Sequence, residues 1–169
     1  MLIRKETNKD YDIVYNIVKK AFATAEHSDG NEQDLVVALR KGESFVPELS
    51  LVAEIDEKIV GHIMFTKAKV GNDTVLVLAP LSVLPEYQKQ GVGTNLIKEG
   101  HKIAKELGYE YSLVLGSENY YPKTGYLSAE QFGIKVPDGI PSCNFMAIQL
   151  QNNPKPVCGT VTYAKEFGI

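Results

Sequence analysis

Apolar residues recur at helical spacing near the beginning of the chain. Thr7, with Asp10 three residues later, has the pattern of a helix N-terminus. The spacing predicts an amphipathic helix over residues 8–23, and a shorter one over about residues 32–41 after the break at residues 28–31. The stripe of the first helix consists of Ile13, Val14, Ile17, Val18, Ala21 and Phe22.

Runs of β-branched and apolar residues predict strands. Turn residues at 56–58 and 71–73 join the second, third and fourth strands into an antiparallel meander. Pro80 lies in the fourth strand and predicts a bulge there, because proline cannot donate to the sheet ladder. The predicted strands are residues 2–6, 49–54, 59–69, 75–83 and 111–115, and the apolar runs at 145–150 and 160–163 complete the sheet.

A helix is predicted between the fourth and fifth strands. Gly108 ends it, and the crossover places strand five parallel to strand four. Its buried residues are predicted to be Val92, Leu96, Ile103, Ala104 and Leu107, whereas His101 is expected on its exposed side.

The turn before this helix has the composition of an anion site. It reads Gln88-Lys89-Gln90-Gly91-Val92-Gly93, directly after a β-rich run. The first N–H groups of a helix lack internal acceptors, and glycines let them approach a phosphate closely. A Walker loop would require Gly-Lys-Ser/Thr, and a dinucleotide fingerprint would require a third glycine where Leu96 stands. Both alternatives are excluded.

Two motifs together resemble one family. The Gln-x-x-Gly-x-Gly turn, preceded by Val-x-Pro-Glu-Tyr, resembles the acyl-CoA pyrophosphate loop of the GNAT N-acetyltransferases. The segment from Tyr121 to Tyr126 resembles the family's Tyr-x-x-x-Gly-Phe/Tyr motif. The resemblance covers roughly residues 50–127. It implies an α/β GNAT fold, with a mixed, mostly antiparallel central sheet, flanking helices and a splay between strands 4 and 5.

The resemblance also implies a cosubstrate, acetyl-CoA, and the residues that would hold it. Backbone groups of the fourth strand would bind the pantetheine arm and supply an oxyanion donor, and the glycine turn would bind the pyrophosphate. Gln88 stands where arginine is frequent in the family, so Lys89 is expected to add charge. The implied cofactor-binding residues are Leu81, Ser82, Val83, Gln88, Lys89, Gln90, Gly91, Val92, Gly93, Thr94 and Asn119.

Acetyl transfer to an amine needs a proton donor and a proton acceptor. Tyr121 matches the family tyrosine that faces the cofactor sulfur, with Tyr120 as the alternative donor. The acceptor stays open between Glu32, His62 and Glu118, of which Glu32 ranks first. The loop over residues 24–30, together with Glu32 and Asp34, is acidic. An ordinary solvated turn is the favoured interpretation, and a rim that attracts a cationic amine is the alternative.

Composition limits the remaining possibilities. The 169 residues fit a single N-acetyltransferase domain, residues 1–169, and no apolar run reaches the ~18 residues of a membrane span. A net charge of −3 without a basic cluster argues against a nucleic-acid partner. Cys143 and Cys158 lack metal-ligand spacing and are expected to be buried or indifferent thiols. A cytoplasmic protein without a membrane partner is expected, and a homodimer is an option.

The predicted function is direct transfer of an acetyl group from acetyl-CoA to a primary amine. The acceptor is a small molecule or a peptide, whose identity the sequence leaves open. A non-catalytic CoA-binding sensor or interaction module is the alternative, because the loop by itself implies only binding. Transfer of a longer acyl chain is a third option.

Overall fold

The computed structural model describes residues 1–23, 25 and 28–169, which form nine strands and three α-helices. The main sheet has the strand order β1-β2-β3-β4-β5-β8-β6, and β9 joins it through β3 and pairs with β7. The strands are β1 Leu2–Lys5, β2 Phe45–Ile55, β3 Lys58–Val70, β4 Asp73–Val83, β5 Tyr111–Leu115, β6 Leu127–Ser128, β7 Ile134–Lys135, β8 Phe145–Gln149 and β9 Gly159–Thr162. The helices are α1 Tyr11–Phe22, α2 Glu32–Arg40 and α3 Val92–Glu106.

The predicted meander is confirmed. β2, β3 and β4 pair antiparallel in chain order, and β4 pairs parallel with β5. The first predicted helix begins instead with a 3-10 turn, Asn8–Asp10, where the Asp10 carboxylate accepts the Thr7 N–H at 2.7 Å. Among the described residues, no helix is long and apolar enough to cross a membrane.

β4 bulges at the predicted proline. Ile63 on β3 pairs with Leu81 and Phe65 pairs with Leu78, so two residues of β4, Ala79 and Pro80, lie opposite Met64. β4 pairs with β5 at residues 76 and 77, whereas residues 81–83 pair with β3. In the described part of the chain the two strands therefore separate beyond residue 77, which confirms the predicted splay.

Helix α3 packs on one face of β3 through two glycines. A Cβ on Gly61 would lie 3.1 Å from Leu96, and one on Gly100 would lie 2.3 Å from the Phe65 ring, so neither position admits a side chain without rearrangement. The prediction of the buried residues of α3 was partly wrong, because Leu107 is 45% exposed and Ile97 is buried instead. Helices α1 and α2 pack on each other and cover the opposite face of the sheet.

Two predictions of exposure are corrected by the packing. His101 is not a surface residue: its ring lies 5.3 Å from that of Tyr126, and its Nε2 is 3.1 Å from the Tyr126 hydroxyl. Burial lowers the pKa of His101 to about 4. The cysteines were expected to be buried or indifferent thiols, and the structure excludes burial, because both are exposed.

We expect His101 to make folding sensitive to acid. Below pH 6.5 the ring of His101 becomes charged in the unfolded chain but stays neutral in the folded one. The free energy of unfolding is therefore unaffected by His101 above pH 6.5 and decreases as the pH falls toward 4. The free energy of unfolding should fall by about 2 kcal/mol between pH 7 and pH 4.5. Urea denaturation at several pH values measures this fall. His101→Gln should reduce the slope of the free energy of unfolding against pH. An unchanged slope in that variant would contradict the assignment.

Candidate active site

Helix α3 begins at the glycine turn with its N-terminal N–H groups available. Gly91 stands at the N-cap with φ +87°, a left-handed conformation that glycine adopts without strain. Within the described residues, no side chain caps this end and no acidic residue occupies the first turn. The positive end of the helix dipole therefore faces outward over two glycines, which suits a pyrophosphate.

This helix end forms one wall of a groove of about 280 Å³. The strand-four residues Leu81 and Val83 line it together with most of the glycine turn, as predicted. Tyr87 also lines the groove, although the sequence reasoning missed it; its position in the Val-x-Pro-Glu-Tyr segment was the available signal. The lining residues are Leu81, Val83, Tyr87, Gln88, Lys89, Gly91, Val92, Gly93, Thr94 and Tyr120.

Three residues predicted to bind the cofactor lie outside this lining. Ser82 is 1% exposed and alternates to the opposite face of β4 from Leu81 and Val83. The side-chain amide of Gln90 donates to the Glu86 carbonyl at 3.1 Å. Asn119 is exposed.

The turn after β5 is organised by Ser117. The Asn119 backbone N–H donates to the Ser117 hydroxyl at 3.1 Å, and the Tyr121 N–H donates to the Ser117 carbonyl at 3.2 Å. Gln88 likewise serves local structure, because its side-chain amide donates to the Val83 carbonyl at 3.0 Å. A cofactor amide would compete with Gln88 for that carbonyl.

The two adjacent tyrosines have different environments. The Tyr120 hydroxyl reaches the glycine turn and lies 3.4 Å from the Thr94 hydroxyl. The ring of Tyr121 packs edge-on between those of Tyr120 and Tyr126, with centroid distances of 5.1 and 5.8 Å. It also lies against Gly116, where a Cβ would come within 2.4 Å of the ring. Tyr120 is therefore the tyrosine that lines the groove, and Tyr121 packs directly behind it.

Burial sets the protonation of Tyr121. It raises the pKa of the phenol above its usual value of 10, and Tyr120 adds to the rise. The phenol is therefore fully protonated at neutral pH, as a proton donor must be. Donation to a thiolate is easier where the thiolate is buried too, because burial also raises the pKa of a thiol.

The candidate proton acceptors lie in three separate places. The Glu32 carboxylate accepts hydrogen bonds from the Ser28 hydroxyl at 2.6 Å and the Asp29 N–H at 3.2 Å, so it organises the N-terminus of α2. Glu118 is exposed. His62 is fully buried on β3. Of the predicted acidic stretch, Thr24, Glu26 and His27 lie outside the described residues.

A larger groove of about 350 Å³ lies between β3, β4 and β9. Its charged lining residues are three lysines and two glutamates: Lys67, Lys69, Lys165, Glu43 and Glu166. It contains neither the α3 N-terminus nor the glycine turn, so the groove at α3 is the better match to a nucleotide-like anion.

Comparison with known families decides the assignment. The model of the acetyltransferase (GNAT) family matches residues 11–126. The chain belongs to this family. GNAT acetyltransferases use acetyl-CoA as cosubstrate, so the resemblance drawn from the two motifs and the cosubstrate it implied are confirmed.

Relatives of this chain include two from Escherichia coli. It is 43% identical over 99 residues to the uncharacterized N-acetyltransferase YjhQ, a match that covers 56% of this chain and only 55% of YjhQ. It is 34% identical over 129 residues to the uncharacterized N-acetyltransferase YhbS, covering 75% of this chain and 73% of YhbS.

Two solved GNAT structures share the fold over nearly the whole chain. A Brucella melitensis acetyltransferase in complex with acetyl-CoA superposes with a TM-score of 0.82 at 30% identity, covering 98% of this chain and 97% of that one. Escherichia coli YhbS in complex with CoA gives 0.82 at 27% identity, covering 99% and 92%. The predicted fold is therefore confirmed.

Proposed function

We propose that residues 1–169 form a single N-acetyltransferase domain that moves an acetyl group from acetyl-CoA directly to a primary amine. The observation that carries the proposal is the uncapped α3 N-terminus over Gly91 and Gly93, beside the splayed end of β4. Acetyl-CoA supplies the activated thioester. The turn from Gln88 to Thr94 would bind its pyrophosphate, with Lys89 adding positive charge.

The backbone of residues 81–83 would position the reacting end of acetyl-CoA. Beyond the splay, this part of β4 lies where β5 has turned away. An N–H group here would stabilise the oxyanion that develops on the thioester carbonyl. Tyr121 would donate a proton to the leaving thiolate, and Tyr120 is the alternative donor because its hydroxyl lies in the groove.

The amine must lose a proton before it attacks. An alkyl ammonium with a pKa near 10.4 needs roughly 4 to 5 kcal/mol to reach its nucleophilic form at neutral pH. Glu32 was the first choice of acceptor from the sequence and stays a prediction. Glu32 also stabilises the loop before α2 through its hydrogen bonds with Ser28 and Asp29.

A thermal shift with acetyl-CoA, NAD and ATP in parallel tests the proposal. At one hundred times its dissociation constant a ligand adds about 2.7 kcal/mol, which for a domain of this size is a rise of about 5 to 10 °C. We expect the rise with acetyl-CoA alone. A rise only with NAD or ATP would contradict the assignment of the glycine turn.

A screen of amines separates an enzyme from a non-catalytic CoA-binding module. Purified protein with acetyl-CoA is offered spermidine, L-lysine, tyramine and a lysine-containing peptide, and released CoA thiol is measured. We expect turnover with at least one amine. Acetyl-CoA binding without any turnover would favour the non-catalytic module.

A further inference from the structure

A buried polar cluster lies under the end of β4 and has no part in the scheme above. Its members are at most 6% exposed: Glu6, Ser50, His62 and Ser82. His62 and Ser82 are paired across β3 and β4, so their side chains share one face of the sheet. This is the face covered by α1 and α2, opposite to the side chains that line the groove.

The hydrogen bonds in this cluster determine which nitrogen of His62 carries the proton. The Ser50 hydroxyl donates its single proton to the Glu6 carboxylate at 2.6 Å. At 3.0 Å from His62 Nε2, the same hydroxyl oxygen must then act as acceptor. Nε2 therefore carries the proton, and Nδ1 of the neutral ring has a free lone pair.

Two polar atoms of the cluster remain without a partner. In the part of the chain that the structure describes, His62 Nδ1 and the Ser82 hydroxyl are both buried and unpaired. Buried polar groups of this kind are uncommon. Since the residues are cross-strand neighbours, a change of the Ser82 rotamer or one water would connect donor to acceptor.

Two opposing influences act on a proton at His62: burial and the charge of Arg40 disfavour it, whereas Glu6 favours it. Glu6 lies 3.5 Å from Nε2, and Arg40 of α2 donates to Glu6 at 2.9 Å. Burial would raise the pKa of Glu6, but hydrogen bonds from His62, Arg40 and Ser50 outweigh it and lower the pKa to about 2. Burial lowers the pKa of His62, partly opposed by Glu6. The ring is therefore neutral at pH 7, with an ionised carboxylate beside it.

The groups facing His62 come from every element around it. Glu6, after β1, and Arg40 of α2 are the charged ones. β2 and β4 present Ser50 and Ser82, and the buried residues of α1 are apolar: Val14, Ile17 and Val18.

We propose that Ser82 and His62 form a proton relay that accepts the proton of the amine, with Glu6 stabilising the resulting imidazolium. The relay rests on the proposed function, because that scheme positions the thioester at residues 81–83. His62 does not touch the amine and acts only through Ser82, so it is a positioning residue and not a catalytic one.

The relay carries one proton from the ammonium to His62, and each bond that breaks on this path is matched by one that forms. An N–H bond of the ammonium breaks, and its proton passes through a water to Ser82 Oγ, which is itself buried. The hydroxyl proton of Ser82 passes to His62 Nδ1, and the Nε2–H stays with Ser50 and Glu6. The free amine then attacks the thioester carbon, the C–S bond breaks, and the second proton lost by the attacking nitrogen replaces the one that Tyr121 gives to the leaving thiolate. The proton on His62 returns to solvent by the same route after the amide leaves.

The test compares Ser82→Ala and His62→Gln with the control Thr66→Val. Thr66 is on the same strand and face as His62, and its hydroxyl is likewise buried and unpaired within the described residues. Neither Ser82→Ala nor Thr66→Val removes a hydrogen bond among those residues, so both should keep the melting temperature. Acetyl-CoA binding is measured first, and then kcat/KM for the amines of the screen between pH 6 and pH 9.

We expect Thr66→Val to match the wild type. At pH 7, kcat/KM should fall by about a hundredfold in His62→Gln and at least about tenfold in Ser82→Ala. The ratio of wild-type to variant kcat/KM should shrink by about tenfold for each pH unit as the pH rises, because the variants depend on amine that is already deprotonated. The imidazole nitrogen NMR shift of Nδ1 should also change in Ser82→Ala.

Other outcomes would overturn the relay. A deficit that is constant from pH 6 to pH 9 would mean a purely structural role, and wild-type rates in both variants would mean no role. Those results would leave the transferase proposal intact. If the wild-type protein binds acetyl-CoA but acetylates none of the amines, the transfer reaction fails and the relay fails with it.

Discussion

Tyr121→Phe should lower kcat by about a hundredfold or more while leaving the affinity for acetyl-CoA nearly unchanged. General acids contribute typically 10²- to 10⁴-fold, and the substitution removes only the phenolic hydroxyl group. The ring would keep its edge-on contacts with Tyr120 and Tyr126, so the fold should survive. Steady-state kinetics with the best amine of the screen, and calorimetry with acetyl-CoA, measure the two effects.

Tyr120→Phe is the matched control for this prediction. The neighbouring phenol lies in the groove near Thr94, so its loss should weaken acetyl-CoA binding slightly and change kcat little. If turnover collapses in Tyr120→Phe and persists in Tyr121→Phe, the proton donor is Tyr120. Unchanged turnover in both variants would remove this pair from the chemistry.

Gly93→Val should raise the dissociation constant for acetyl-CoA by about a hundredfold, equivalent to about 2.7 kcal/mol. A Cβ at this position would lie 2.6 Å from the Tyr120 hydroxyl, and the side chain would displace that phenol within the groove. It would also prevent a phosphate from reaching the N–H groups of the first turn of α3. Calorimetry measures the affinity, and thermal denaturation checks that the variant is folded.

Gly91→Ala tests the other feature of the turn, its left-handed backbone. A Cβ here meets only Asn95 at 3.7 Å, so the cost of about 1 to 2 kcal/mol comes from φ +87°. Gly108, past the other end of α3, has φ +91° and open space, which makes Gly108→Ala the control. Both variants should lose similar stability, but only Gly91→Ala should lose affinity. Equal affinities in the two would contradict the role of the turn.

Local patterns predicted the elements well where the signal was strong. The fifth strand, residues 111–115, was predicted with its observed ends, and α3 begins directly after Gly91. The bulge at Pro80 followed from the missing N–H of proline, and the register shift in β4 confirms it. The second strand was predicted four residues too short at its N-terminal end, because Pro47 and Glu48 interrupt its apolar pattern.

Side-chain environments were harder to predict. Helical spacing assigned Leu107 to the core and His101 to the surface, whereas Leu107 is the exposed C-cap residue of α3 and His101 faces Tyr126. The sequence also gave no indication that Arg40, Glu6 and His62 meet. These residues come from three separate elements, and only the packing of α2 against the β1 edge of the sheet brings them together.

The amino-acid sequence by itself determined the family and the cosubstrate, and it predicted the anion site at the glycine turn. Glycines at 91 and 93, proline at 80 and the tyrosine segment act through backbone conformation over a few residues, and such constraints can be read locally. Only the tertiary structure decided that Tyr120 lines the groove in front of Tyr121, and that His62 has a buried, unpaired nitrogen on the sheet face that it shares with Ser82. Those relations depend on burial and on contacts between distant segments, which exist only once the sheet and its helices have packed.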